Sequence, residues 1–207
     1  MLKDQQIKNF LDTLASKSPT PGGGSVAALT GSMGAALLSM VGNLTIGKKK
    51  YIHVEDDIKR LLKRSEILRA DFEELMERDT EAFNQFMAIM KLPKETEEQK
   101  EERRKKMQIA LIEAANVPLE VARKSLEVLN ICQEVANKGN KNVISDAGVG
   151  AILAEAAFDS AILNVKINLA MIQEEKVKSN LNHEIEDLLG LARGKKDKAV
   201  EIVLKKI

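Results

Sequence analysis

The sequence contains no tryptophan, one tyrosine and five phenylalanines, so few rings are available to stack on nucleic-acid bases. Thirty-two lysines and arginines face 31 aspartates and glutamates, which leaves a net charge of +1 and none of the basic excess expected of a nucleic-acid binder. One cysteine, Cys132, excludes an internal disulfide, and with only His53 and His183 there is no Cys/His metal cluster to assemble. No apolar signal segment is present, because Met1-Leu2-Lys3-Asp4 opens a charged amphipathic pattern. The apolar stretch after Ser25 is interrupted by Gly31, Gly34 and Gly42. These absences predict a cytoplasmic protein with no metal, no nucleic-acid partner and no membrane partner. No window alternates as a strand would, and no internal repeat is evident.

What remains is helical. Leu2, Ile7, Phe10, Leu11 and Leu14 give a first surface helix from about Lys3 to Ser16. From Ser25 to about Ile46, small residues such as Ala27, Ala28, Gly31, Ser32, Gly34 and Ala35 leave one side of a helix ~33 Å long nearly bare. Glycine weakens an isolated helix by about 1 kcal/mol relative to alanine, so this run predicts close packing, with Gly31, Gly34 and Ala35 facing a partner subunit. A third apolar stripe runs from about Val54 to Met90 and ends at Leu92-Pro93. The charged run Lys94 to Lys106 reads as a solvated connection plus the first turns of a fourth helix. That helix continues from Met107 to about Val135, with a kink expected at Pro118 and closure at Gly139. A fifth helix, capped by Ser145, runs toward Lys178, and two short charged helices, His183 to Ala192 and Lys195 to Lys206, follow. One domain, residues 1–207, accommodates all of this.

Several residues break these patterns in ways that suggest chemistry. Pro19-Thr20-Pro21-Gly22-Gly23-Gly24-Ser25 sets three glycines before a helix, where positive φ, bare amides and an N-cap at Ser25 would favour an anionic or polar ligand. A tight helix crossing would use the same residues. Asp79 lies on the interior stripe between Met76 and Phe83, where a carboxylate is desolvated unless paired. That environment makes a general acid or base, although a structural aspartate satisfied by amides or a lysine would sit there equally well. Asn164 and Asn168 are four apart on an otherwise apolar face and continue a polar set formed by Asn140, Asn142, Ser145 and Asp146. Carboxamides present donors and acceptors, as the edge of a pterin-like heterocycle requires. Interhelical hydrogen bonding explains the pair as well, and Ser145 and Asp146 suit a helix start without any ligand. Lys48, Lys49 and Lys50 answer a helix C-terminal dipole and could also meet a ligand carboxylate.

Five segments in this order, Pro19 to Ala28, Gly47-Lys48-Lys49-Lys50-Tyr51, Asp79-Thr80-Glu81-Ala82-Phe83, Pro118 to Ala122, and Asn142 to Gly150 followed by Asn164 to Asn168, resemble the formiminotetrahydrofolate cyclodeaminase and methenyltetrahydrofolate cyclohydrolase family. The resemblance covers nearly the whole chain. It implies an all-α helical bundle forming an intimate homodimer, a tetrahydrofolate-bound one-carbon unit as substrate, no metal or redox cofactor, and action either alone or with a separate formiminotransferase. The reaction placed first is closure of the N5-formimino group onto N10 with loss of ammonia; hydrolysis of the methenyl bridge comes second. A non-catalytic folate-binding or scaffold dimer is the third reading. In the roles inferred here, Asp79 and then Asp146 move protons. Gly22, Gly23, Gly24, Ser25, Asn142, Ser145, Asn164 and Asn168 hold the pterin and bridge, and Lys48 and Lys49 meet the glutamate tail.

Overall fold

Apolar residues recurring every three or four positions give each long helix one face to bury. Those faces close on one another in the computed structural model, which describes residues 1–207. The helices are α1 (Ile7–Leu14), α2 (Gly23–Asn43), α3 (Glu55–Met90), α4 (Glu97–Lys138), α5 (Ile144–Leu169), α6 (Glu175–Ala192) and α7 (Lys195–Leu204). There is no strand, and 3-10 turns occupy Leu2–Asp4, Lys49–Val54 and Lys141–Val143. Helices α2 to α5 form an up-down-up-down bundle, with α2 between α3 and α5, α4 on the far side, and α7 across α4 and α5. At ~54 and ~63 Å, α3 and α4 outreach α2 at ~32 Å, so their ends extend past the N-terminus of α2 as a two-helix arm.

The glycines of α2 set how closely the bundle packs. A Cβ on Gly34 would lie 3.1 Å from the carbonyl oxygen of Gly150 on α5, and one on Gly31 would lie 2.6 Å from the Phe72 ring on α3. The bare side of α2 is therefore covered by its own chain, which corrects the expectation that Gly31, Gly34 and Ala35 face a partner subunit. Its opposite side exposes Met33, Met40 and Leu44, and the neighbouring side of α5 exposes Val149, Ile152, Leu163 and Ile167. By length and composition α2 and the stretch 141–169 are apolar enough to cross a membrane, but both are core helices, α2 being the more buried.

Helix boundaries move where local polar chemistry overrides the apolar period. Helix α4 begins at Glu97, ten residues before the apolar stripe, because Thr96 and Gln99 form a reciprocal capping box and pairs such as Glu97–Lys100 and Glu102–Lys106 support the first turns. Helix α5 ends at Leu169 rather than running toward Lys178. There Gln108 of α4 accepts from the Gln173 amide at 2.7 Å and donates to the Met171 carbonyl, tying down the turn before α6. Gly139 closes α4 as expected, since a Cβ there would sit 2.7 Å from the Val135 carbonyl oxygen. The far end of α2 is stitched to the α4–α5 turn: Thr45 Oγ1 accepts from the Asn140 amide, Asn140 Nδ2 donates to the Leu44 carbonyl, and Tyr51 Oη accepts from the Lys141 amide.

Candidate active site

The Pro19–Gly24 segment leads into α2 beside the middle of α3 and the end of α5, and a cleft of about 320 Å³ opens where they meet. Gly22, Gly23 and Gly24 form one wall, Asn164 and Asn168 another, Phe83 and Phe86 line the arm side, and Asp79 stands among them. None of the three glycines has positive φ; Gly22 is the N-cap and Gly23 and Gly24 are already helical. Ser25 is thus the third helical residue rather than the N-cap. What this sequence requires of Gly24 is proximity, because a Cβ there would lie 1.9 Å from Asp79 Oδ1. As first-turn residues, Gly23 and Gly24 carry N–H groups with no acceptor inside the helix.

Asp79 is half-buried, and Ser25 Oγ donates to its Oδ2 at 2.7 Å. Burial pushes the carboxyl above the ordinary aspartate value, opposed by hydrogen bonds from the Ser25 hydroxyl and backbone amide. Both sequence-level readings of Asp79 have support in this geometry. The carboxyl anchors α3 against the start of α2, and it is also the only titratable side chain lining the cleft. No lysine pairs with it. The cleft's other polar side chains are Thr20, Asn164 and Asn168.

The remaining expected site residues lie elsewhere. Helices α2 and α5 are antiparallel, with Gly23 beside Asn164 and Gly34 beside Gly150, so the residues following α2 and those starting α5 share the other end of the bundle. Lys48 and Lys49 follow α2 there, exposed, ~30 Å along the helix from the glycine wall. Asn142 and Ser145 are exposed and Asp146 half-buried at the same end. Ser145 does not cap α5, whose N-cap is Val143. Within one chain, then, Asp146 cannot serve the cleft that holds Asp79. Two sets of expected residues occupy opposite ends of one helix pair.

The sequence matches the profile of the formiminotransferase-cyclodeaminase family over residues 6–187. The chain belongs to that family. It is 46% identical over 207 residues to a methenyltetrahydrofolate cyclohydrolase of Methylorubrum extorquens, covering all of both chains. The formimidoyltransferase-cyclodeaminase of Mus musculus is 34% identical over 192 residues, 93% of this chain but 36% of that protein. The crystal structure of formiminotetrahydrofolate cyclodeaminase from Thermotoga maritima superposes with a TM-score of 0.88 at 33% identity, covering 99% of this chain and 98% of that one.

In this formiminotransferase-cyclodeaminase family member the cleft also uses residues that the sequence pattern did not single out as site residues: Pro19, Thr20, Phe83, Phe86, Ala114 and Met171. Phe83 and Phe86 share the stripe that buries Phe72 and Leu75, so nothing local separates cleft from core. The available signal was that the stripe on α3 outruns α2. Apolar residues beyond the length of the facing helix must line an opening or be exposed.

Proposed function

We propose that this chain acts on the one-carbon bridge between N5 and N10 of tetrahydrofolate, hydrolysing 5,10-methenyltetrahydrofolate to 10-formyltetrahydrofolate. The observation that carries the reading is the single carboxyl, raised by burial, in a cleft that otherwise offers amides and aromatic surface. The methenyl bridge is cationic, and Asp79 supplies the complementary charge. As a carboxylate, Asp79 takes a proton from water as the water oxygen bonds to the bridge carbon. The resulting carboxylic acid then protonates N5 as the carbon–N5 bond breaks. The hydroxyl proton is lost to solvent, leaving the formyl group on N10. A carboxyl shifted upward is better matched to both transfers than one at the ordinary aspartate value. The steps are addition, elimination and proton transfer, so the proposal includes no metal or redox cofactor.

The same groups suit closure of N5-formiminotetrahydrofolate, in which N10 attacks the carbon of the protonated formimino group and Asp79 takes the N10 proton and passes it to the nitrogen that leaves as ammonia. Sequence reading puts that reaction first. The 46% identity across the full length of a protein named as a cyclohydrolase supports the reverse order, and the 33%-identical cyclodeaminase from Thermotoga maritima keeps the second reading. Under it, a separate formiminotransferase would supply the substrate. Purified protein assayed for loss of methenyl absorbance and for ammonia release from 5-formiminotetrahydrofolate decides between them. Folate binding without either turnover would overturn the proposal and leave a binding module, and absence of all three would overturn both readings.

The exposed apolar faces of α2 and α5 support a homodimer, placed in the cytoplasm, where the lone buried thiol of Cys132 stays reduced. Pairing these faces about a two-fold axis near Met33 would run the two α2 helices antiparallel. The partner's Lys48 and Lys49 would then approach this chain's glycine wall, where a glutamate tail could meet them.

A further inference from the structure

Pro118 lies inside α4, and the helix passes through it without interruption. A proline at that position has no N–H to give the carbonyl four residues earlier, so the oxygen of Ala114 loses its helical donor. Ala114 lines the cleft. Its carbonyl is not left unpaired: Asn168 Nδ2 of α5 donates to it at 2.8 Å and also to the Asn164 carbonyl at 2.9 Å. Those two bonds use both hydrogens of the carboxamide. The Asn168 Oδ1 has no donor in the protein, yet it is not among the buried atoms lacking a partner, so it is reached from the open cleft. Asn164 is held by only one of its two amide hydrogens, Nδ2 donating to the Ser160 carbonyl at 2.8 Å.

We propose that Pro118 is a positioning residue for the site: by freeing the Ala114 carbonyl it locks the Asn168 amide nitrogen into the helices and turns the amide oxygen toward the substrate. At Asn168 the wall made by α5 then accepts hydrogen bonds and does not offer N–H groups. It selects a ligand edge that donates, such as ring N–H or exocyclic amino groups of a reduced pterin. The identity of that ligand rests on the proposed function; the lock itself does not. Donors are present at the first turn of α2, so that turn and the Asn168 oxygen read opposite hydrogen-bonding polarity.

Two measurements test this. In protein labelled with ¹⁵N-asparagine, the Asn168 side-chain amide is expected to be the most protected from hydrogen exchange among the exposed and half-buried asparagines. In Pro118→Ala, where residue 118 regains an N–H directed at the Ala114 carbonyl, that protection should fall. The same variant should raise KM for the folate by roughly three- to tenfold with a melting temperature unchanged or higher, since proline disfavours a helix interior. A merely structural proline would not separate KM from stability in that way. In an Asn168→Ala background, Pro118→Ala should add nothing to KM. Unchanged Asn168 exchange in Pro118→Ala would overturn the lock whether or not the protein turns over folates. An equal KM penalty in both backgrounds would overturn the route through Asn168. A parent protein inactive on both folates would overturn the functional reading and leave the exchange result standing.

Discussion

Asp79 occupies the space that any side chain at position 24 would need, since a Cβ on Gly24 would lie 1.9 Å from Oδ1 and 2.5 Å from Cγ of the carboxyl. Helix α3 and the start of α2 can approach this closely only because residue 24 is glycine. The carboxyl is thereby brought to the hydroxyl of Ser25, one residue further on, and to the cleft.

Gly24→Ala and Gly23→Ala should therefore differ sharply. The first displaces the carboxyl and is expected to lower kcat by roughly 10²-fold, the scale of a lost proton-transfer group, together with a fall in melting temperature. At Gly23 a Cβ would meet the Asn164 side chain at 3.4 Å, an ordinary contact, so alanine there should raise KM and leave the fold intact or slightly more stable. Steady-state kinetics and thermal melts of the two variants check the contrast.

Asp79→Asn keeps the shape and an acceptor for Ser25 while removing the titrating group. Its kcat should fall by roughly 10²-fold or more with folate binding retained. The pH dependence has a definite sign. Because the folded-state value lies above 3.8, ionising Asp79 costs native stability as pH rises from 3.8 through the folded value. The melting temperature of Asp79→Asn relative to the parent should accordingly climb over that window and then level off. For the hydrolysis, parent activity should rise across the same window as the carboxylate forms, and this limb should be missing from the variant.

Gly31→Ala tests the packing role of the small residues on α2. With the Phe72 ring 2.6 Å from the added Cβ and fully buried, the substitution should cost about 1–3 kcal/mol of stability. Chemical denaturation would measure it. Stability equal to the parent would mean that α2 and α3 are free to separate at this crossing.

Charge on the exposed apolar side should act on assembly instead. Met33→Glu with Leu163→Glu, both positions open in the single chain, is expected to give a folded monomer by light scattering, and the parent is expected to run as a dimer.

Assembly can also be read through activity. If the partner's lysines reach the cleft, mixing Asp79→Asn subunits with subunits carrying Lys48→Glu and Lys49→Glu should restore turnover. Random pairing of equal amounts leaves about a quarter of all sites intact. Failure of the mixture to exceed either variant alone, with exchange of subunits verified, would confine the site to one chain.

The helices, their apolar stripes and the anomalous position of Asp79 were legible in the sequence, because a 3.6-residue period places a residue on its face without reference to any other element. The bare side of α2 was legible too, but what covers it was not: Phe72 and Gly150 come from other helices, and small residues fit a neighbouring helix of the same chain as well as one from a partner. The helix start at Glu97 depended on the Thr96–Gln99 capping box, which outweighs the apolar period. That Asp79 meets Gly24 from 55 residues away, and that the carbonyl freed by Pro118 is claimed by Asn168, were decided by tertiary structure alone. Sequence spacing fixes which side of its own helix a group occupies. Which donor meets which acceptor depends on how far helices slide and how closely they pack, and that follows from the fit of all their side chains together.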